Sequence, residues 1–202
     1  RLGDLVSIGR RFNDVWSAAV GFRAEIVQIR NAQDYGNPGG YSTVVNPDGT
    51  TTQVGNSAVQ VCENEGNHQL TSIKPSISRD TTDSRIFPTS GNRASFTWEQ
   101  YGAMGADIDM SKLVGRFDWY YTLYTDLFNR KTVLAQRNEV GMIPIGDSPF
   151  YERFYAGGIG SLRGFKYRGV GPRSGVLSDP IGGDFSWLST AEVNYPIYEE
   201  IV

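Results

Sequence analysis

The sequence predicts an all-β fold, an antiparallel transmembrane β-barrel of which the chain forms a part, about seven strands with two long extracellular loops. Apolar and polar residues alternate with period two in several segments, whereas few windows show the 3.6-residue period of a helix. Long polar loops alternate with shorter connections, as at the two ends of an outer-membrane barrel. A soluble sandwich or lipocalin-like barrel also alternates, but its dry core could not hold the charged residues of the polar faces unpaired.

Composition excludes several classes of protein. The 202 residues include 19 Lys and Arg against 22 Asp and Glu, and no basic patch is interleaved with aromatic residues, so no nucleic-acid partner is predicted. No apolar stretch approaches the roughly 18 residues of a transmembrane helix. The single cysteine, Cys62, excludes an intrachain disulfide, and the single histidine, His68, excludes a multi-histidine site. No metal or other cofactor is predicted.

Seven segments are predicted as strands. The clearest is 112–124, where Phe117 and Trp119 share one face while Arg116 and Asp118 share the other. Segment 131–142 alternates less regularly. In chain order the predicted segments are 4–12, which ends an earlier strand, and then 17–29, 69–79, 94–101, 112–124, 131–142 and 184–197.

The faces of these strands differ in chemistry, which favours a lipid-facing side and a polar lumen. The apolar faces include Val20, Phe22, Ile26, Ile73, Ile77, Phe96, Trp98, Tyr121, Leu123, Trp187 and Val193. The opposite faces include Arg23, Glu25, Lys74, Glu99, Lys112, Tyr124 and Glu192.

The connections indicate how the strands are arranged. Residues 31–67 and 143–183 are predicted to be long extracellular loops, while 13–14, 80–92 and 125–130 are shorter. Residues 46–49, Asn-Pro-Asp-Gly, lack the acidic spacing of a calcium loop and predict a turn. Because the chain begins without a leader and ends as a new apolar run starts, we expect residues 1–202 to be a fragment of one barrel domain.

The segment 150–165, with four glycines around Arg163, is the most distinctive in the chain. Glycine permits backbone shapes that a β-carbon forbids, and the guanidinium offers five donors in a planar fork. Strand alternation puts Glu192 on a polar face, where a loop folded into the lumen could bring Arg163 to it. From the residues alone, the simpler interpretation is that Arg163 caps a turn and Glu192 is a solvated lumen charge.

The same segment, FYERFYAGGIGSLRGF, resembles the long sixth extracellular loop of the BamA family of outer-membrane assembly factors, including the Gly-Pro that follows at 171–172. Residues 79–91 resemble the short periplasmic turn of that family, with Asp80, Asp83, Pro88 and Gly91 in its pattern. Gly182 and Gly183 then precede the strand that carries Glu192. The resemblance covers nearly the whole chain, roughly the seventh to twelfth strands of a family barrel.

The resemblance implies a role for the loop. It implies that 143–183 inserts into the lumen and that Arg163 is held there by Glu192, expected as a bidentate pair that locks the shape of the barrel. The loop residues expected to matter are Tyr155, Gly157, Gly158, Arg163, Gly164 and Phe165.

The function implied is the insertion and folding of β-barrel proteins in the bacterial outer membrane, without enzymatic activity or a cofactor. Expected partners are nascent outer-membrane proteins, assembly-machinery lipoproteins, outer-membrane lipid and lipopolysaccharide. Periplasmic POTRA domains are expected upstream.

Four alternatives remain open at this point. Three are a TamA-like or two-partner-secretion transporter, an organellar relative, and the barrel of a patatin-like lipase. The fourth, an enzyme within the barrel, is disfavoured because His68 is the only histidine.

Overall fold

The computed structural model of the chain describes residues 1–29, 41–55, 64, 66–102, 105–174 and 178–196. Within these ranges, no helix has the length and hydropathy required to cross a membrane. The main element is one antiparallel sheet of seven strands, each paired with its neighbour in the chain. Its strands are β1 (Leu2–Arg11), β2 (Trp16–Ile29), β5 (Gly66–Asp80), β6 (Gly91–Tyr101), β7 (Met110–Thr125), β8 (Lys131–Gly146) and β11 (Phe185–Asn194).

The remaining elements are short and lie in the connections. Strands β3 (Tyr41–Val45) and β4 (Thr51–Gly55) form a hairpin, and β9 (Arg173–Ser174) pairs with β10 (Asp179–Pro180). A single 3₁₀ turn spans Phe150–Glu152.

The number and direction of the strands confirm the predicted all-β fold. The seven sheet strands contain 10 to 16 residues, and a transmembrane strand needs only about 9–11. The described sheet is open, with β1 and β11 at its edges.

The two faces of the sheet separate as predicted. We call the face on which residues 151–154 pack the inner face and the opposite one the outer face. Apolar side chains exposed on the outer face include Val20, Phe22, Ile26, Ile77, Phe96, Trp98, Phe117, Trp119, Tyr121, Trp187 and Val193. Because this side of a barrel strand meets lipid, the apolar exposure is what a membrane-spanning sheet requires.

The alternation predicted for 112–124 is interrupted near its end. The register between β7 and β8 shifts between Thr122 and Tyr124, where β7 contains one residue more than its partner. Such a bulge leaves an extra residue unpaired and breaks strict alternation, so the placement of Tyr124 on the charged face by simple parity was wrong.

The boundaries of both long loops also differ from prediction. Strand β8 continues through 143–146, where Ile145 pairs with Ser111 of β7, so the second loop begins at residue 147. Strand β5 begins at Gly66, inside the predicted first loop. The turn predicted at 46–49 is confirmed and joins β3 to β4. Cys62 lies outside the described residues.

The connections at the two ends of the sheet differ in length. Those at one end comprise residues 12–15, 81–90 and 126–130, and we call this the short-turn end. At the other end, the chain passes from Ile29 to Gly66, from Tyr101 to Met110 and from Gly146 to Phe185, and we call this the long-loop end. The first and third of these connections are far longer than any at the short-turn end, whereas the second is shorter than 81–90.

An apolar cluster lies among the polar residues of the inner face, which the sequence did not predict. Its buried members are Val27, Leu70, Tyr101, Ile108 and Met110, and Ile143 and Tyr151 pack against it. Leu70 shares its strand parity with Ser72 and Lys74, so period two alone placed it in a polar lumen. Burial of this cluster brings the start of the second loop against the sheet.

We predict that Trp119 and Trp187 face lipid, since their side chains are 38% and 67% exposed on the outer face. In the full-length protein reconstituted with brominated lipids, replacing both with Phe removes a large part of the tryptophan quenching. Tyr120→Trp is the matched control, because Tyr120 is 5% exposed on the other side of the same strand. Strong additional quenching from that inner tryptophan would show that the assigned faces are wrong.

Candidate functional site

The second long loop is attached to the inner face at the 3₁₀ turn Phe150–Glu152. Tyr151 is partly buried against the apolar cluster, and the next residue, Glu152, is only 6% exposed. A carboxylate removed from water needs charged or hydrogen-bonding partners, and the wall of the sheet supplies them.

Three side chains bind the carboxylate of Glu152. Arg23 of β2 places Nη2 3.0 Å from Oε1, and the hydroxyl of Tyr101 on β6 donates to Oε2 at 2.8 Å. Arg1 Nη1 lies 3.2 Å from Oε1. In addition, Lys112 Nζ of β7 donates to the backbone oxygen of Glu152 at 2.6 Å. One residue of the loop is therefore tied to three strands of the wall.

The partners of Glu152 are themselves held in place. Arg23 forms a bidentate pair with Glu25 at 2.7 and 3.1 Å and lies 3.5 Å from Glu99. Glu99 accepts a hydrogen bond from Ser72 at 2.7 Å, and Lys74 Nζ lies 3.8 Å from it. We call this group the inner charge network, and it comprises Arg1, Arg23, Glu25, Lys74, Glu99, Lys112 and Glu152.

The next residues of the loop also pack tightly on the wall. Phe154 and Gly183 exchange backbone hydrogen bonds of 2.9 and 3.0 Å. The Phe154 ring lies over Gly141 of β8, where an added Cβ would be 2.3 Å from the ring. The Lys112 ammonium is 4.7 Å from the centre of that ring, within cation–π range. Gly141 therefore leaves the space that the loop occupies.

Within the predicted motif, the glycines shape a compact turn. Gly157 has φ +108° and donates to Ser161 Oγ at 2.8 Å, and an added Cβ would meet the Lys166 carbonyl at 2.4 Å. Gly158 donates to the Phe165 carbonyl at 3.1 Å. Residue 157 must therefore be glycine, because a side chain would clash with the neighbouring backbone and because other residues rarely adopt this positive φ.

Tyr155 connects the compact turn to the start of the loop. Its hydroxyl donates to the Phe150 carbonyl at 2.5 Å, and the Arg168 guanidinium lies 4.1 Å from the centre of its ring. Phe165 and Gly164 lie further along, at the exposed tip, where Gly164 has open space around it.

Arg163 reaches Glu192 but holds it weakly. Their closest charged atoms are 3.9 Å apart, and the Arg163 side chain is 80% exposed. Arg137 Nη1 lies 3.8 Å from the other oxygen of Glu192. These separations exceed hydrogen-bond length, so the bidentate geometry expected for Arg163 is not formed. Its role in locking the loop remains a prediction.

A cavity of about 430 Å³ separates the tip of the loop from the wall. Its lining includes Arg116, Asp118 and Glu139 from the wall and Leu162 and Arg163 from the loop. The loop thus has two parts. The root at 147–158 is fixed to the wall through Glu152, whereas the hydrogen bonds described for the tip at 159–168 are made within the loop.

The four residues expected to form the short turn lie in or beside residues 81–90. Asp80 accepts from Thr82 N at 3.0 Å and from Arg93 Nε at 3.0 Å. At Gly91, φ is +97° and an added Cβ would be 2.3 Å from the Thr81 carbonyl. Pro88 lies within the turn. A rigid, hydrogen-bonded connection results.

Asp83 organises the middle of this turn. Its carboxylate accepts hydrogen bonds from Thr89 N at 2.8 Å, Ser90 N at 3.1 Å and the Thr89 hydroxyl. Slight burial raises the pKa of Asp83, but these hydrogen bonds favour the ionised form more strongly and lower it to about 2.

The residues that hold the loop on the wall could not be singled out from the sequence. Arg23, Glu99 and Lys112 were placed on polar faces, but nothing selected them from other lumen charges. Glu152 was visible only as the acidic residue that precedes RFYAGG. Within the described ranges, no group of three or more His, Cys, Asp or Glu residues could hold a metal ion.

Comparison with known proteins identifies the family. The profile of the Omp85 superfamily domain matches residues 1–201 of the chain. The chain belongs to the Omp85 superfamily. This confirms the predicted resemblance at the level of the superfamily.

Similar Omp85 relatives are named as assembly proteins. The chain is 37% identical over 127 residues to the outer membrane protein assembly factor BamA of Nitratidesulfovibrio vulgaris, which covers 60% of this chain and 15% of that protein. It is 29% identical over 143 residues to sorting and assembly machinery component 50 homolog A of Xenopus laevis, covering 67% of this chain and 28% of that protein. The chain therefore spans less than a third of the length of these relatives.

A solved structure confirms the Omp85 fold. The crystal structure of BamA from Haemophilus ducreyi lacking POTRA domains 1–3 matches 98% of this chain and 38% of that chain, with a TM-score of 0.66 and 18% sequence identity. At this identity the likeness establishes the fold, a partial transmembrane β-barrel.

For the full-length Omp85 protein we predict that Glu152→Gln destabilises the barrel more than Arg163→Ala. Loss of a buried ionic partner costs about 3 kcal/mol, whereas an exposed ion pair contributes less than about 1 kcal/mol. The temperature at which heat-modifiable gel mobility is lost measures both effects. Trypsin cleavage within the loop should accelerate in Glu152→Gln. An Arg163→Ala variant that is equally or more destabilised would contradict the assignment of the fixed root.

We also predict a pH-dependent contribution from Asp83. Its pKa is about 2 in the folded protein and about 3.9 in an unfolded chain. The ionised form is thus favoured by folding, so its stabilisation is present above about pH 4 and is lost as the pH falls through 2. Asp83→Asn should therefore unfold at lower denaturant than the parent at neutral pH, and this gap should narrow in acid.

The matched control for Asp83 is Asp14→Asn. Asp14 is exposed in a neighbouring turn, and its carboxylate accepts no hydrogen bond within the described structure. A gap between Asp83→Asn and the parent that does not change with pH would argue against the turn as the cause.

Proposed function

We propose that this chain forms the wall and inner loop of a barrel that inserts and folds β-barrel proteins in the bacterial outer membrane. The BamA relative is named as an assembly factor for outer membrane proteins. The observation that carries the proposal is a loop fixed on the inner face of an Omp85 sheet by contacts to β2, β6 and β7. The proposed role is mechanical and involves neither catalysis nor a bound nucleotide.

The physical requirement is an edge at which a new strand can pair. A closed barrel has no free edges, so an assembly factor must open a seam and offer its backbone donors and acceptors to a nascent chain. We propose that the seam lies between strands outside this chain and that the described sheet is the wall opposite it. Thinning of the bilayer beside the seam would lower the barrier to insertion.

The inner charge network suits this role because it joins strands to one another through the loop. Arg23, Tyr101 and Lys112 come from different strands and converge on Glu152. A wall braced in this way keeps its shape while the seam opens elsewhere. Arg163 and Glu192 would add a second, weaker contact at the tip.

Several partners belong to the same proposal. Nascent outer-membrane proteins are the substrates that the names of the relatives support. Assembly-machinery lipoproteins, lipopolysaccharide and upstream POTRA domains are proposed from the resemblance of the loop and turn motifs.

A dedicated transporter of the TamA-like or two-partner-secretion type is the second candidate. The cavity of about 430 Å³ beneath a loosely held tip favours it, because such a loop could move aside for a passing chain. The relatives named as sorting and assembly machinery component 50 homologs come from Xenopus laevis and Homo sapiens, which favours an organellar version of the assembly role as a further candidate. The barrel of a patatin-like lipase would require a catalytic domain elsewhere in the protein.

Depletion of the full-length protein in its own cell tests the proposal. We expect a general loss of folded, unrelated outer-membrane barrels, seen as loss of heat-modifiable gel mobility, with rescue by the wild-type gene. Depletion of an unrelated outer-membrane porin is the control for membrane stress. Loss of one secreted protein, with folded barrels unchanged, would instead identify a dedicated transporter.

A further inference from the structure

We propose that the short-turn end of the sheet binds anionic phospholipids of the leaflet that it faces. Three turns form the surface, and each presents an exposed apolar side chain beside an exposed basic one. This inference is independent of the assembly role, because it concerns how the wall is anchored in the bilayer.

The three turns share one composition. In the first, Phe12 is 62% exposed and follows Arg10 and Arg11. In the second, Ile86 and Phe87 are 79% and 71% exposed and follow Arg85. In the third, Leu127 and Phe128 are 99% and 72% exposed and precede Arg130 and Lys131. A repeated apolar and basic pair is typical of a surface that inserts at the headgroup boundary.

Hydrogen bonds fix the backbone of these turns, so the exposed side chains are held in position. In the first turn, Asn13 Oδ1 accepts from Val15 N at 2.9 Å and from Trp16 N at 2.7 Å. In the third, Asp126 Oδ1 accepts from the backbone N of Phe128 and Arg130, both at 2.9 Å.

The second turn is held by Asp83 and by Arg93. Arg93 Nη2 donates to the carbonyls of Ser84 and Arg85 at 3.1 and 3.0 Å. The second turn is also linked to the strands that flank the third. Lys131 Nζ donates to Thr89 Oγ1 at 3.1 Å, and Thr122 Oγ1 donates to the Thr89 carbonyl at 2.9 Å.

The charges of the turns leave basic groups available to phosphate. Asp80 is paired with Arg93 and Asp126 with Arg130, at 3.0 and 2.7 Å. The other carboxylates of the turns, Asp14 and Asp83, are outnumbered by the other basic groups, which belong to Arg10, Arg11, Arg85 and Lys131. Among the described contacts, none involves the guanidinium of Arg10 or Arg85. Basic groups without carboxylate partners, next to apolar groups without a core, match a phosphate headgroup above an acyl chain.

The surface is continuous with the lipid-facing side of the sheet. The outer face of β7 carries Trp119 and Tyr121 and leads into the third turn. The turns join β1 to β2, β5 to β6 and β7 to β8, so they lie in a row about 10 Å apart, twice the strand spacing. Lipid that covers the outer face therefore reaches the turns without a break.

Lipid association of the purified full-length protein tests the proposal. The protein is reconstituted in phosphatidylcholine vesicles with a trace of spin-labelled phosphatidylglycerol or spin-labelled phosphatidylcholine, and electron paramagnetic resonance measures the immobilised fraction of each. We expect preference for phosphatidylglycerol in the wild type and a several-fold loss of that preference in Arg10→Gln/Arg85→Gln/Lys131→Gln. The charge-keeping variant Arg10→Lys/Arg85→Lys should retain it.

Two controls separate the surface from other causes. Heat-modifiable mobility must be unchanged in every variant, and Lys166→Gln, in the loop at the opposite end, should leave the lipid preference intact. The proposal is wrong if the wild type shows no preference or if the glutamine variant keeps it. It is also wrong if Lys166→Gln reduces the preference equally. A glutamine variant that keeps its lipid preference but loses a crosslink to a protein would show that the surface binds a protein instead.

Discussion

The buried carboxylate of Glu152 is the contact on which the arrangement of the inner face depends. Glu152 is only 6% exposed and lies beside an apolar cluster, so its charge requires nearby partners. Arg23 and Tyr101 bind the carboxylate, and Lys112 binds the backbone oxygen of the same residue. Arg23 is in turn neutralised by Glu25 and lies near Glu99. A single loop residue thus explains why polar side chains on separate strands have the positions they do.

The loop shows how rigidity is distributed along one motif. Its root has buried charges, backbone pairing to Gly183 and a ring seated on Gly141. Its tip has open space and a 3.9 Å contact between Arg163 and Glu192. The distinctive sequence motif therefore spans both the part of the loop with the most contacts to the wall and the part with the fewest.

Much of the sheet was predictable because period-two alternation is a direct consequence of strand geometry. It gave the faces of Phe117 and Trp119 correctly. It failed at Tyr124, since a bulge has no signature in alternation, and at 143–146, where pairing with β7 extends β8 beyond its alternating part. Alternation assigns Leu70 to the polar face, but this apolar side chain is buried there because the loop root covers that part of the sheet. Glu152 was missed because its importance depends on which of many lumen charges converge in space.

The inner charge network also has a consequence for how the strands choose their alignment. A slip of one residue in β2 or β7 would turn Arg23 or Lys112 outward into hydrocarbon. A slip of two residues would keep the face but carry the charge about 7 Å along the strand, beyond reach of Glu152. The outer face, with its many interchangeable apolar and aromatic residues, tolerates a two-residue slip far better. The charged residues of the inner face therefore make a sheet with shifted register less stable than the correctly aligned one.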